Sequence, residues 1–586
     1  MGGCDRQSTH LKSGVPKSMG TGSSSSPMPK SKLKSKKSKN SKQQSQTPTL
    51  SLKEQLAQKR KAQQARKEFT QFAFASVGIA AVLAIFLFLA AGPKAALASL
   101  AIPALGFSYK YPRKALWAFL IYLPINGTVT YWIGGGNVVF QLAKDGIYIP
   151  ALIALVKDCQ RKKLPILISK EIKPSLYILL AFSGLTLLLV NGFLQFSGGR
   201  SGQPFLQGIL GFKVFLGYIP LAFCAYYLIR TKKELLFLTR MHLVLAIICC
   251  ILGFIQYSML TSGRCAGTRG LVADALFKAT LDAKCFVGGA LVYSPEVGMI
   301  RLPGTFVSPW HWAWFLISNA FFTFATAFCD TSFLWRIGGL VGMALVFANA
   351  VISGQRIALS LVPVVFVLLL VLTGQVANLK RFIPVGVGLG VVLSIAAAAN
   401  PALIQERIDS FVSRWNASPP QQFIVDQFNW AMKKQRGFLG RGLGTATNST
   451  RIFGDAALVE TYYPKVLYEI GPLGTLAFLV FVTSLTAITF KIYRSVKDKS
   501  LRSFGACFWV LVLVLSYNTY WYPLDTEVAI YYWFFAGVIF KLPEIDKQEQ
   551  EKRLAEEENE AQTKKKGRRK SSGRRTVGKT SPIPAT

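Results

Sequence analysis

MHLVLAIICCILGFIQYSML, residues 241–260, carries no Asp, Glu, Lys or Arg in twenty positions. At about 1.5 Å per residue, such a helix spans the roughly 30 Å hydrocarbon core of a bilayer. Just before it stands the basic segment RTKKE, residues 230–234. The same pairing of apolar run and basic flank recurs along most of the 586 residues. Runs of this kind occupy 70–91, 94–108, 115–134, 137–156, 174–193, 208–228, 241–260, 307–328, 335–353, 357–374, 382–399, 464–490, 503–521 and 526–540. The second is short and broken by proline, so 12–14 spans fit. Hydrophobic residues make up 51% of the chain and the mean hydropathy is +0.35. In lipid only helices and closed barrels satisfy their own backbone, and barrel strands read as short alternating segments rather than continuous runs. The expected fold is all-α, a polytopic transmembrane helical bundle.

The formal charge of +40 sits in the two tails and in short loops. That distribution is the signature of cytoplasmic loops, which collect Lys and Arg, and nucleic-acid binding is not expected. The loops KYPRK (110–114), KDCQRKK (157–163), RTKKE (230–234), NLKR (378–381) and KIYRSVKDK (491–499) alternate correctly with the spans. All are expected inside, with both termini. Residues 1–68 form a basic tail, Ser-, Lys- and Pro-rich at first, then helix-friendly over 51–68. Residues 69–541 form the transmembrane domain, and 542–586 a charged tail. The start, MGGCDRQST, has Arg6 where a myristoylation signal has Ser or Thr.

Two large loops then face outward, about 261–306 and 400–463. Long loops in compact proteins tend to be functional. The second has helical periodicity at 403–415 and at 422–436, where Ile424, Phe428 and Met432 are spaced for one face. A helical extracytoplasmic cap is expected. Cys265 and Cys285 share the first loop, where an oxidising compartment permits a disulfide; the sequence leaves open whether they are bonded.

Charged side chains near hydrocarbon have a partner or a task. Arg301, in MIRLPGTFVSPWHW, and Arg356, in VISGQRIALSL, both fall at the outer face. Two planar, permanently charged forks suit a phosphate-bearing ligand; the alternative is snorkelling at the boundary. Glu460 opens ETYYPKVLYEIGPLG beside Tyr462, Tyr463 and Lys465. A carboxylate in a partly apolar site has a raised pKa, which suits a general base. Glu469 reads as structural. GFLGRGLGTATNST, 437–450, reads as a flexible binding loop to which Arg436 and Arg441 add positive potential. His311, among tryptophans, reads as an interfacial side chain. No cluster has metal-ligand spacing, so no metal is expected. Lys144, Asp145 and Lys213 are the main intramembrane charges, and a solute transporter is the competing class. Transporters favour two similar halves, and no such repeat is visible. A scaffold whose tails recruit cytoplasmic partners is a third reading.

The segments RLPGTFVSP (301–309), SGQR (353–356), GRGLGT (440–445) and ETYYPKVLYEIGPLG (460–474), in that order, resemble the O-antigen ligase and polymerase superfamily. The resemblance covers residues 290–480 by motif and 70–540 by layout. It implies a metal-independent membrane glycosyltransferase without cofactors in a bacterial inner membrane. Its donor is an oligosaccharide on undecaprenyl diphosphate, with membrane lipids and proteins of polysaccharide assembly and export as further partners. It implies that Arg301 and Arg356 hold the diphosphate. Ligases of the family typically have His-Asn, with the His as base, where this chain has Glu460 and Thr461. That departure favours the polymerases over the ligases. Trp310 stands where the family often has Asn.

Overall fold

The computed structural model of the chain describes residues 52–92, 96–136, 140, 143–166, 169–197, 202–269, 271, 283–288, 292–294, 299–376, 419–518 and 527–572, with isolated residues between 383 and 416. The chain divides into two units, residues 1–69 and 70–586. Among the described residues nine helices are long and apolar enough to cross a membrane. The protein is an all-α, multi-pass membrane protein.

The element order is α1 (Leu52–Ala91), α2 (Ala101–Lys110), α3 (Pro112–Tyr122), α4 (Asn126–Trp132), α5 (Ala143–Arg161), α6 (Lys173–Leu185), α7 (Pro204–Leu216), α8 (Leu221–Leu228) and α9 (Lys232–Thr261). A short antiparallel hairpin follows, β1 (Val292–Ser294) and β2 (Met299–Arg301), pairing Val292 with Arg301. Then come α10 (Pro309–Cys329), α11 (Phe333–Ile352), α12 (Arg356–Leu372), α13 (Pro420–Lys434), α14 (Tyr462–Ser495), α15 (Lys499–Tyr517) and α16 (Glu527–Ser572). A π-helical turn, Thr186–Gly192, continues α6.

Several expected spans take a different form. The run at 94–108 is only a 3-10 turn and the ten-residue α2. That at 115–134 is interrupted at Pro124, which has no amide to donate, so α3 passes through a 3-10 turn, Leu123–Ile125, into α4. The run at 137–156 becomes α5, whose first turn holds Lys144 and Asp145. α12 is apolar but shorter than the nine. The run at 382–399 and most of 403–415 lie outside the described residues. The helix expected at 422–436 is α13, but Met432 is exposed while Ala431 is buried. Strict four-residue spacing drifts off a 3.6-residue face, so the buried stripe passes to the neighbouring position.

The core is built around α10. Every residue from Trp312 to Cys329 is buried, and five aromatics, Trp312, Trp314, Phe321, Phe322 and Phe324, are among the largest fully buried side chains. A helix apolar on all sides belongs in the middle of a large bundle; α9, α11, α12, α15 and α16 pack against it. On α6 and its π turn, Leu185, Leu188, Leu189 and Phe193 face outward as a lipid-contacting surface.

Four of the basic loops gather at one end; NLKR (378–381) lies outside the described residues. Arg113 reaches Glu234 at 2.8 Å and the Leu228 carbonyl at 2.9 Å. Lys157 donates to the Tyr109 hydroxyl at 3.0 Å. Lys232 and Arg553 both engage Asp498, which caps α15 through the Leu501 amide at 3.0 Å. Asp546 accepts the amides of Lys497 and Asp498, each at 2.9 Å. Ile545 and Asp546 are buried, so α16 stays packed into the bundle beyond residue 541.

At this end Arg240 forms a two-pronged pair with Asp330, both contacts 2.8 Å, and the Asp330 side chain is 0% exposed. Arg240→Ala therefore strands a buried carboxylate and is expected to cost about 3 kcal/mol. Arg113→Ala, at a pair exposed on both sides, is expected to cost no more than about 1 kcal/mol. Thermal unfolding in detergent compares the two.

Candidate functional site

Arg301 and Arg356 are brought together by backbone. Arg301 ends β2, and the next amide, that of Leu302, donates to the Ser353 carbonyl at 2.9 Å. Gly354, at φ 67°, lies against the same strand: a Cβ there would stand 2.2 Å from the Ile300 oxygen and 3.4 Å from the Arg301 Cα. Only glycine accepts both that dihedral and that approach. The Gln355 amide closes the turn onto the Ser353 hydroxyl at 3.2 Å, and Arg356 begins α12. Both arginines are partly exposed.

Two supports hold this junction. Below Arg301, Ile300 and Leu302 pack with Leu260 and Cys285. Cys285 is bonded to Cys265, with Cα atoms 5.7 Å apart, and its carbonyl accepts from Gln256 at 2.9 Å. Beyond Arg301, Thr305 donates to the Pro124 carbonyl at 2.5 Å and accepts at its own carbonyl from the Thr128 amide at 3.2 Å. The RLPGTFVSP segment is thereby stitched to the α3–α4 junction.

Glu460 stands on a second framework. Its amide donates to the Gln427 side chain of α13 at 3.0 Å, and its carboxylate makes no hydrogen bond or ion pair with a described residue. Burial pushes the Glu460 carboxyl above its usual value of 4.5. The preceding Val459 packs with Ala446, Trp430 and Tyr468. The rings of Tyr462 and Tyr463 lie in the bundle core around Phe478, and the Tyr463 hydroxyl donates to the Ser516 carbonyl at 2.5 Å. Arg441 donates to the Lys434 carbonyl and lies 5.7 Å over the Tyr468 ring.

The glycine-dense segment is pinned rather than flexible. Buried Glu469 accepts from the Ala446 amide at 2.8 Å and the Thr447 hydroxyl at 2.9 Å. Asn191, in the π turn, accepts from the Leu443 amide at 2.8 Å and donates to the Leu443 carbonyl at 3.0 Å. The amides of Arg441 and Gly442 go to the carbonyls of Tyr468 and Glu469. Gly471, at φ 70°, breaks α14 where a Cβ would meet the Phe438 oxygen at 2.3 Å. Glycine here serves close approach of two backbones, and the amides of residues 441–443 and 445–447 are already hydrogen-bonded. Glu469 has the structural role expected of it.

The sequence reading missed Glu527. This buried carboxylate, at the first residue of α16, accepts from Lys144 at 2.9 Å and from Asn126 at 3.0 Å. His311 Nδ1 lies 3.4 Å from its other oxygen. Next to it, Asp145 pairs with Lys213 at 2.5 Å and accepts from the Tyr218 hydroxyl at 3.0 Å. His311, read as a lone interfacial residue, thus has an acid partner. The signal was present: a single acid opening the run EVAIYYW needs a cation, and Lys144 stood unassigned at the mouth of another run.

No protein-family model matches the chain, and no curated protein is similar to it.

The disulfide buttresses the strand carrying Arg301. Its removal as Cys265→Ser with Cys285→Ser reopens a loop of sequence separation 20, which corresponds to roughly 3 kcal/mol of chain entropy. A lower thermal midpoint for the double variant, matched by the wild type under reductant, is the expected outcome.

Proposed function

We propose that this protein transfers a glycan from a polyprenyl-diphosphate carrier, undecaprenyl diphosphate by resemblance, to a sugar acceptor. The transfer takes place on the outer face of a bacterial inner membrane, and it polymerises surface or extracellular polysaccharide. The observation that carries this reading is the hydrogen-bonded junction of the 301–302 and 353–356 segments, which brings together the backbones that carry the two arginines. Alone, either arginine is explained by its boundary position. Together, on backbones held by the Leu302–Ser353 bond, they suit the two phosphates of a diphosphate.

The chemistry follows from charge. The acceptor oxygen attacks the anomeric carbon while the bond from that carbon to the diphosphate oxygen breaks, with inversion. The electron pair leaves on phosphate, where preorganised guanidinium groups stabilise it without reorganising. The acceptor hydroxyl loses its proton to Glu460, whose carboxylate is uncommitted and partly desolvated. The gathering of basic loops at the opposite end supports an orientation with both termini cytoplasmic. A ligase moving finished glycan to lipid or protein uses the same steps, and the Glu460-Thr461 pair in place of His-Asn speaks for the polymerase. The ion pairs of Lys144 and Lys213, which are satisfied within the protein, give transport no open charge at those positions.

Arg301→Ala and Arg356→Ala are each expected to lower transfer about a hundredfold or more. In cells that loss appears as lipid-linked single repeats in place of polymer; normal polymer with either variant removes the proposal. The acid limb of the wild-type rate profile is expected above the ordinary glutamate value of 4.5, because a base acts only when deprotonated. Glu460→Gln is expected to abolish that limb together with most of the rate. A profile that keeps its limb assigns the proton elsewhere.

A further inference from the structure

Around Glu527 a set of polar atoms is buried without a hydrogen-bond partner among the described residues: Tyr122 Oη, Asn126 Oδ1, His311 Nδ1, Glu527 Oε2 and Tyr531 Oη. Glu527 is 5% exposed, Asn126 2% and Tyr531 1%. These atoms belong to one place. Asn126 and His311 address Glu527 directly. Tyr531 follows Glu527 by one helical turn on the same face of α16, and both tyrosine hydroxyls lie within electrostatic reach of the carboxylate. Tyr122 Oη, Asn126 Oδ1 and Tyr531 Oη, beside a His311–Glu527 pair that meets at 3.4 Å without a hydrogen bond, gather several desolvation penalties on four elements. The side chains of His311 and Lys144, which meet Glu527, are partly exposed, at 27% and 15%.

The atoms also define what fits. Phenol hydroxyls give and accept, while an amide oxygen and a carboxylate oxygen only accept. An anion meets the charge of Glu527, and a bare cation meets Lys144, which already occupies the carboxylate at 2.9 Å. A neutral ligand whose every group both donates and accepts satisfies the whole set, and adjacent hydroxyls on a sugar ring have that character. The place is joined to the arginine pair: the turn presenting Asn126 is the one to which the segment after Arg301 is stitched, through Thr305 to Pro124 and Thr128.

We infer that the polar cluster of Tyr122, Asn126, His311, Glu527 and Tyr531 is a subsite for the hydroxyls of the acceptor sugar. The inference rests on the glycosyl-transfer reading and adds to it where the non-diphosphate partner sits. Glu527 receives hydrogen bonds from the sugar, Lys144 and Asn126 hold its carboxylate in place, and the two tyrosines read neighbouring hydroxyls.

The test is direct binding to the full-length protein in detergent, read by saturation-transfer NMR with glucose, galactose, mannose, rhamnose and N-acetylglucosamine as probes. At least one is expected to bind the wild type. Tyr122→Phe and Tyr531→Phe are each expected to weaken it about three- to tenfold, the value of one hydrogen bond, while leaving the thermal midpoint unchanged or raised. That pairing separates a ligand contact from a structural one, because a merely structural hydroxyl without a partner is not missed. Glu527→Gln serves as the stronger variant, with its fold checked by the same midpoint. Failure of all five sugars to bind, or equal binding by Tyr531→Phe and Glu527→Gln, overturns the subsite and leaves the cluster to water. Inorganic pyrophosphate is the separate arm. Loss of its binding in Arg356→Ala with sugar binding retained supports both readings. Sugar binding of the expected pattern without pyrophosphate binding removes the transfer reading and keeps the subsite.

Discussion

A lipid environment supplies no partner for a charge, so each ionised group in this bundle must bring its own. That constraint explains where the polar residues lie. At one end Arg113, Lys232, Arg240 and Arg553 are matched by Glu234, Asp498 and Asp330. At the other, Lys144 is matched by Glu527 and Lys213 by Asp145. Between the two layers runs the part of α10 from Trp312 onward, with apolar, aromatic and small polar side chains, several of the latter bonded back to their own helix, as Thr323 to the Asn319 carbonyl at 2.7 Å. These ion pairs lie toward the helix ends and help to hold the helices in register.

The candidate site exploits the same economy. Glu460 leaves its carboxylate without a described partner in a partly buried place, and Glu527 leaves one oxygen incompletely satisfied among other orphaned polar atoms. Glu469 and Asn191, by contrast, are each committed twice to the loop they hold. The contrast between Glu469 and Glu460, nine residues apart, is the clearest case: one carboxylate ties down a glycine-dense loop, and the other makes no hydrogen bond or ion pair with a described residue.

Much of the architecture could be read from the chain, because twenty-residue apolar runs have few other uses in biology. The nine long helices follow them, and four of the basic loops do collect at one end. The exceptions have local causes. Pro124 splits a run of adequate length into two short helices, and Val292, Tyr293 and Ile300, residues that favour extended backbone, lie on the two short strands before Leu302. For the site, sequence indicated a shared face for Arg301 and Arg356 but not the hydrogen bond between their segments, which depends on a three-dimensional meeting at Gly354. It misread glycine density at 437–450 as freedom, when these glycines permit backbones to touch. It passed over Glu527 because a single acid beside an apolar run looks ordinary until its partners, 216 and 383 residues away by His311 and Lys144 numbering, are seen around it.

The Cys265–Cys285 bond has a bearing on how the protein is made. Thiols join only where the surroundings are oxidising, and a reducing cytosol keeps them apart. A chain threaded the wrong way round would therefore emerge with its hairpin unclamped and its first arginine strand loosely seated. In the proposed orientation, membrane insertion and completion of the fold are coupled: the cross-link acts as a stamp of correct threading, acquired only after residue 285 has reached an oxidising compartment.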